Sequence, residues 1–119
     1  MKLKIYADTS VFSGCFDKEF CESSIQLIDE FKNGDKIITI SDLTVKEIEN
    51  APDNVKAIFF SIPSTFVEYV TLDEESKYLA KKYIAEQAIS GKYLVDAQHI
   101  ALSTVNRVDV LVSWNFRLL

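Results

Sequence analysis

Three glycines and two prolines punctuate this chain, which also has only two cysteines and a single histidine. The cysteines, Cys15 and Cys21, lie close together and form no CxxC pair, which excludes a disulfide framework. Reduced, buried thiols in a cytosolic protein are the expectation. No apolar run approaches the roughly 18 residues that a membrane span needs. The N-terminus lacks the basic-then-apolar pattern of a signal peptide, so a cytoplasmic protein with no membrane partner is expected. Repeats, linkers and low-complexity stretches are also missing. Positive charge is in deficit: 13 Lys and Arg stand against 18 Asp and Glu, a net charge of −5. That argues against a general electrostatic grip on nucleic acid. It leaves room for an enzyme whose carboxylates are neutralised by a divalent metal, because a bound ion inverts the local field.

What is present is an alternation of short apolar runs with longer amphipathic ones along 119 residues, read as one domain over 1–119. "LKIYA" predicts a strand. "FCESSIQLIDEFKNG" predicts a helix with Cys21, Ile25, Ile28 and Phe31 on its apolar face and Asn33-Gly34 as its stop. "KIITI" predicts a second strand and "SDLTVKEIEN" a short helix capped by Ser41 or Asp42. "DNVKAIFFSI" reads as another short helix closed by Pro63, and "TFVEYV" as a third strand. Asp73 caps a long helix, "EESKYLAKKYIAEQAIS", predicted to stop at Gly91. "VDAQHIALSTVN" is helical and "DVLVS" is a fourth strand. Strands alternating with helices predict an α/β layer with a mainly parallel sheet. The chain ends on "NFRLL" directly after a strand, which reads as a fold shortened at its C-terminus.

In open parallel sheets, ligands bind beyond the carboxyl ends of the strands. Asp8 ends the first strand, Asn115 follows the fourth, and Glu47 sits one turn into the helix after the second. Asp96 opens the helix before the last strand, where the helix dipole favours an anion. Glu49, two residues from Glu47, points to another side of its helix. Each position has a plain structural alternative: Asp8 as a helix N-cap, Glu47 as a surface charge, Asp96 as a helix-start acid and Asn115 as a turn residue. His99 reads as a metal ligand or as a hydrogen-bonded, partly buried residue. Carboxylates gathered on one edge repel one another and need protonation, bases or a bridging ion. There is no glycine-rich phosphate loop, GxGxxG, GxSxG or HExxH. Oxygen-only ligands suit Mg²⁺ or Mn²⁺, which typically serve phosphoryl transfer.

Four stretches in this order, "YADTSVF", "SDLTVKEIE", "VDAQHIALS" and "DVLVSWNFRLL", resemble PIN-domain ribonucleases of the VapC-like branch, toxins of bacterial and archaeal toxin–antitoxin pairs. The resemblance spans essentially the whole chain. It implies a three-layer α/β/α fold with four or five mainly parallel strands, and places the family's acidic quartet on Asp8, Glu47, Asp96 and Asn115. These four are the catalytic and metal-holding candidates, for Mg²⁺ or Mn²⁺. Many relatives carry Asp where this chain has Asn115, which favours one metal over two. Thr9, Ser10, Ser113, Lys46 and Arg117 are candidate substrate contacts, with Lys92 and Arg107 as further bases for gripping RNA. Trp114 is expected to pack under the site. The resemblance further implies RNA hydrolysis leaving a 5′-phosphate and a 3′-hydroxyl, a homodimer and a cognate antitoxin protein. The alternative is a degenerate PIN-like module that binds RNA or protein without cutting. An aspartate-nucleophile phosphatase would want a second Asp where Ser10 stands, and a response-regulator receiver would want an acidic pair and a strand-end lysine; neither arrangement is present.

Overall fold

The computed structural model describes residues 2–86 and 93–115. The order is β1 (Lys4–Ala7), α1 (Thr9–Ser13), α2 (Cys21–Lys32), β2 (Ile37–Ser41), α3 (Asp42–Glu49), α4 (Asp53–Phe60), β3 (Val67–Val70), α5 (Glu74–Ala85), α6 (Leu94–Val105) and β4 (Val110–Val112). The four strands form one sheet in the order β3-β2-β1-β4, and every pairing is parallel. The expected α/β class and parallel sheet are both found.

Alternation along the central strands builds the layers, because successive side chains leave opposite faces. Ile5 and Ala7 of β1 and Ile38 and Ile40 of β2 join Phe12, Ile28, Phe31 and Ile48 in the main core, under α1 to α4. Each fully buried large side chain there contributes about 1.5–3 kcal/mol. Tyr6 and its cross-strand neighbour Thr39 face the other way, and Tyr6 meets His99 of α6. On that side α5 and α6 pack through Ala80, Ala97 and Ala101, small enough for close helix approach.

Local signals set most element ends. Asn33-Gly34 stops α2 as expected. Gly34 has φ +76°, its N–H donates to Phe31 O at 3.2 Å, and Asp35 N–H donates to Glu30 O at 2.9 Å, a Schellman closure. Asp73 caps α5, accepting Ser76 N–H, which holds its carboxyl below the usual carboxylate range. Of the two candidates for the α3 cap, Ser41 takes the role in a capping box with Thr44.

Three details differ from the sequence reading. In α2, Ser24 is buried with Ile28 and Phe31, while Ile25 is exposed; Ser24 is tolerated inside because its hydroxyl accepts the Trp114 indole N–H at 2.8 Å. The third strand starts at Val67, since Ser64–Phe66 form a 3-10 turn with Phe66 N–H donating to Pro63 O. The N-cap reading of Asp8 is matched by a short helix, Thr9–Ser13, that follows it at once. α5 ends at Ala85, and the expected extension toward Gly91 falls largely on 87–92, outside the described residues. Residues 116–119, on which the expected C-terminal shortening bears, are likewise outside. Both cysteines are free. Among the described residues, no helix is long and apolar enough to cross a membrane.

Candidate active site at the carboxyl edge of the sheet

The sheet order puts β2 on one side of β1 and β4 on the other, so the order in which strands are added reverses at β1 while all of them stay parallel. In open α/β sheets such a switch point opens a crevice above the strand ends. Asp8, Ser41 and Ser113 each follow or close one of these three strands, and all stand at that edge.

Asp8 is buried, and its plain reading as a helix N-cap holds. Its Oδ1 accepts Ser10 N–H at 3.0 Å, as the N-cap of α1, and the Ser10 hydroxyl at 2.5 Å. Its Oδ2 accepts the Ser113 hydroxyl at 2.5 Å, from beyond β4. Ser10 Oγ also accepts Trp114 N–H at 2.8 Å. Thr9, next to Asp8, reaches sideways: its hydroxyl donates to Glu47 Oε1 at 3.2 Å. The same Oε1 lies 3.3 Å from His99 Nε2. Glu47 is about one-third exposed, whereas Glu49 is exposed, as the spacing predicts.

Asp96 stands half-buried in the first turn of α6. Its carboxyl is held above the usual carboxylate range, first by burial; the nearby imidazole of His99 opposes this, and the charges of Asp8 and Glu47 add to it. Three acids, one following β1 and the others in α3 and α6, therefore share one electrostatic neighbourhood. Among the described residues, no lysine or arginine pairs with any of them. Their oxygens nevertheless do not form a ready cage: among the described residues, no three His, Cys, Asp or Glu side chains are grouped to hold a metal ion. The donor chemistry suits a hard divalent ion. The Asp8 and Glu47 carboxylates accept from the hydroxyls of Ser10, Ser113 and Thr9.

Asn115 joins this group only at one remove. Its backbone N–H donates to Ser113 Oγ at 3.1 Å, and its exposed side chain lines a depression of about 190 Å³ with Ser10, Asp17 and Phe20. Glu47 and Lys46 line a different groove of about 580 Å³ between α3 and α6, with Val95 and Gln98 opposite. Arg107 lies at the far edge: it closes α6 before β4 begins, near Lys4 at the start of β1, so it is not brought to the acids. Lys92 and Arg117 fall outside the described residues. Trp114 packs as expected, stacked on Phe20 at 5.0 Å between centroids. Gly14 makes room for it, because a Cβ there would stand 2.7 Å from Trp114 Nε1.

Sequence reasoning left out Tyr6 and Ser41. Tyr6 Oη lies 2.7 Å from Ser41 Oγ and 2.6 Å from His99 Nδ1, all of them buried. The only signal available was a tyrosine in the middle of a strand otherwise suited to a dry core. His99 follows its plainer reading, a hydrogen-bonded residue, although more deeply buried than expected.

Among the described residues, a four-stranded, all-parallel sheet interleaved with six helices defines an α/β domain of PIN-like fold. Solved structures agree at the level of fold. The chain superposes on Mycobacterium tuberculosis VapC20, a toxin that cleaves the sarcin-ricin loop, with a TM-score of 0.68 and 13% identity over 93% of this chain and 89% of that one. A chain of the Rickettsia felis VapBC2 complex, solved bound to a DNA fragment from their promoter, matches with a TM-score of 0.52 and 11% identity, over 95% of this chain and 100% of that one. No family model matches the chain, and no curated protein matches it in sequence. The fold is that of VapC-like PIN-domain toxins.

Proposed function

We propose that this protein is a divalent-metal-dependent endoribonuclease and the toxin of a toxin–antitoxin pair, with a cognate antitoxin protein and a homodimer as its assemblies. The observation that carries this reading is the placement of Asp8, Glu47 and Asp96 at the carboxyl edge of a PIN-like sheet, near enough for the charges of Asp8 and Glu47 to reach Asp96, with no lysine or arginine paired with any of them among the described residues. Such repulsion calls for a cation from outside the chain. Asp8, Asp96 and Glu47 would hold Mg²⁺ or Mn²⁺. When bound, the ion supplies positive charge for the scissile phosphate and lowers the pKa of an attacking water.

The chain's own groups do the rest. Ser10 and Ser113 fix the orientation of the Asp8 carboxylate. Thr9 holds Glu47 Oε1, leaving Oε2 to help hold the ion or to accept the proton of the attacking water. Lys46, exposed beside Glu47, contacts backbone phosphate, and the neutral amide of Asn115 contacts the substrate from the opposite depression.

A second reading, an RNA- or protein-binding module without cleavage, is favoured by one observation: both Asp8 oxygens are already engaged by serine hydroxyls. One experiment separates the two. The purified chain is incubated with a pool of single-stranded and hairpin RNAs in Mg²⁺ or Mn²⁺, with and without EDTA, beside Asp8→Asn. Cleavage abolished by both EDTA and the substitution supports the nuclease. RNA left intact by the parent protein in every metal, or equal cleavage by parent and Asp8→Asn, overturns it.

A further inference from the structure

Behind Glu47 runs a line of buried polar groups that a cluster of acids alone does not require. Tyr6 and His99 are both almost wholly inaccessible, at 0% and 1% exposure. His99 Nδ1 is 2.6 Å from the Tyr6 hydroxyl. Its other nitrogen, Nε2, is buried without a well-formed hydrogen bond among the described residues, yet stands 3.3 Å from Glu47 Oε1. An unpaired buried polar group costs about 1–3 kcal/mol, so the ring's orientation needs a reason.

We infer that Tyr6 and His99 form a positioning pair for Glu47: the Tyr6 hydroxyl donates to Nδ1, keeping the proton of the neutral imidazole on Nε2, where it faces Glu47 Oε1. This rests on the reading of Glu47 as part of the metal-holding site. A neutral imidazole carries one N–H. With that proton on Nδ1, the Nε2 lone pair would confront a carboxylate oxygen of like sign. With it on Nε2 the repulsion becomes attraction, and the hydroxyls can run in one direction, from Ser41 to Tyr6 to Nδ1. Burial pushes the Tyr6 phenol up to about 12, so it retains its proton and remains a donor at neutral pH.

The line closes on itself. Ser41 Oγ accepts Thr44 N–H at 3.4 Å as the cap of α3, the helix that carries Glu47. From that cap the chain of contacts passes through β1 and α6 and returns to α3 at Glu47. Thr9 grips the same oxygen from α1. Oε1 is thereby approached from two elements, which fixes the rotation of the carboxylate. Groups behind a metal ligand commonly set its orientation in this way, and their loss typically costs about 10–100-fold in metal affinity.

Because the chain has one histidine, its imidazole nitrogens can be assigned without ambiguity. The test is ¹⁵N NMR of that ring in the full chain, well above neutral pH. It is joined to calorimetric Mn²⁺ titration of the parent, Tyr6→Phe, His99→Gln and His99→Leu. The Nε2–H tautomer is expected in the parent, with both tautomers populated in Tyr6→Phe. His99→Leu is expected to lose about tenfold or more in Mn²⁺ affinity, while His99→Gln, whose amide can donate to Glu47, stays close to the parent. Thermal melts check folding, and Tyr6→Phe, which removes one oxygen atom, serves if His99→Leu fails to fold: a mixed tautomer and weaker Mn²⁺ binding are then required. An Nδ1–H tautomer in the parent, or parent-like affinity in folded His99→Leu, overturns the inference. If the parent neither binds Mn²⁺ nor cleaves RNA, the nuclease reading fails, and the tautomer by itself decides for or against the pair.

Discussion

Ser113 donates its hydroxyl hydrogen to Asp8 Oδ2 at 2.5 Å, although 105 positions separate the two residues in the chain. The contact is made possible by β1 and β4 lying side by side in parallel, with Ala7 opposite Val112, so the next residue of each strand emerges at the same edge. A residue just beyond β4 thus orients the acid that follows β1. Replacing Ser113 with alanine removes that donor and is expected to lower stability by about 1 kcal/mol, read as a lower urea midpoint with an unchanged slope. An unchanged midpoint would mean that the hydroxyl does not hold Asp8 in solution.

Asp8 combines a structural duty with a chemical one, and two substitutions separate them. Asparagine keeps an oxygen for Ser10 N–H and offers an amide to Ser113 Oγ, so Asp8→Asn is expected to retain most of its stability while losing RNA cleavage. Alanine deletes the cap and strands two hydroxyls, at a cost of about 1–2 kcal/mol. Parallel denaturation and cleavage assays should show both variants inactive but only Asp8→Ala destabilised.

The pH dependence of Asp96 has a definite sign. Its folded proton affinity is raised, chiefly by burial, so the native state binds that proton more tightly than the unfolded chain does. Ionised Asp96 therefore penalises the fold above its folded pKa, and the penalty disappears as pH falls to the ordinary carboxylate range. Asp96→Asn should melt higher than the parent at neutral pH without metal, and the gap should close on acidification. Mg²⁺ should raise the melting temperature of the parent more than that of the variant. Identical melting curves at every pH would contradict the burial of this acid.

Two helices end on a left-handed residue, and opposite substitutions there should move stability in opposite directions. Gly34 has φ +76°, and a Cβ would lie 2.6 Å from the Phe66 ring, so Gly34→Ala should cost at least about 1 kcal/mol. Arg107, at φ 54°, closes α6 in the same conformation with a side chain that disfavours it. Arg107→Gly should raise stability by up to about 1 kcal/mol. Chemical denaturation of both variants tests the pair.

Much of this molecule was legible in its sequence because much of it is local. The Asn33-Gly34 stop, the Ser41 and Asp73 caps and the four strands all follow from residues within a few positions of one another. The α2 face was misread at Ser24 and Ile25 for a reason that lies ninety positions away, in the Trp114 indole that partners Ser24. Asp8, Glu47 and Asp96 were picked out by their places after strands or at helix starts. Their convergence could only be expected, and the structure brings them into a shared field without closing a cage. Asn115 matched the same pattern, but its side chain opens on a separate depression.

By itself, then, the order of residues determined most of the elements, many of their ends and which acids could stand above the sheet, since hydrophobic period and capping act over a few residues. Only the tertiary structure decided that Tyr6 would meet His99 across 93 positions, that His99 would turn toward Glu47, and that two serines would claim Asp8. Those outcomes depend on strand order and register, which bring distant side chains within hydrogen-bonding range, and no short-range pattern encodes that geometry.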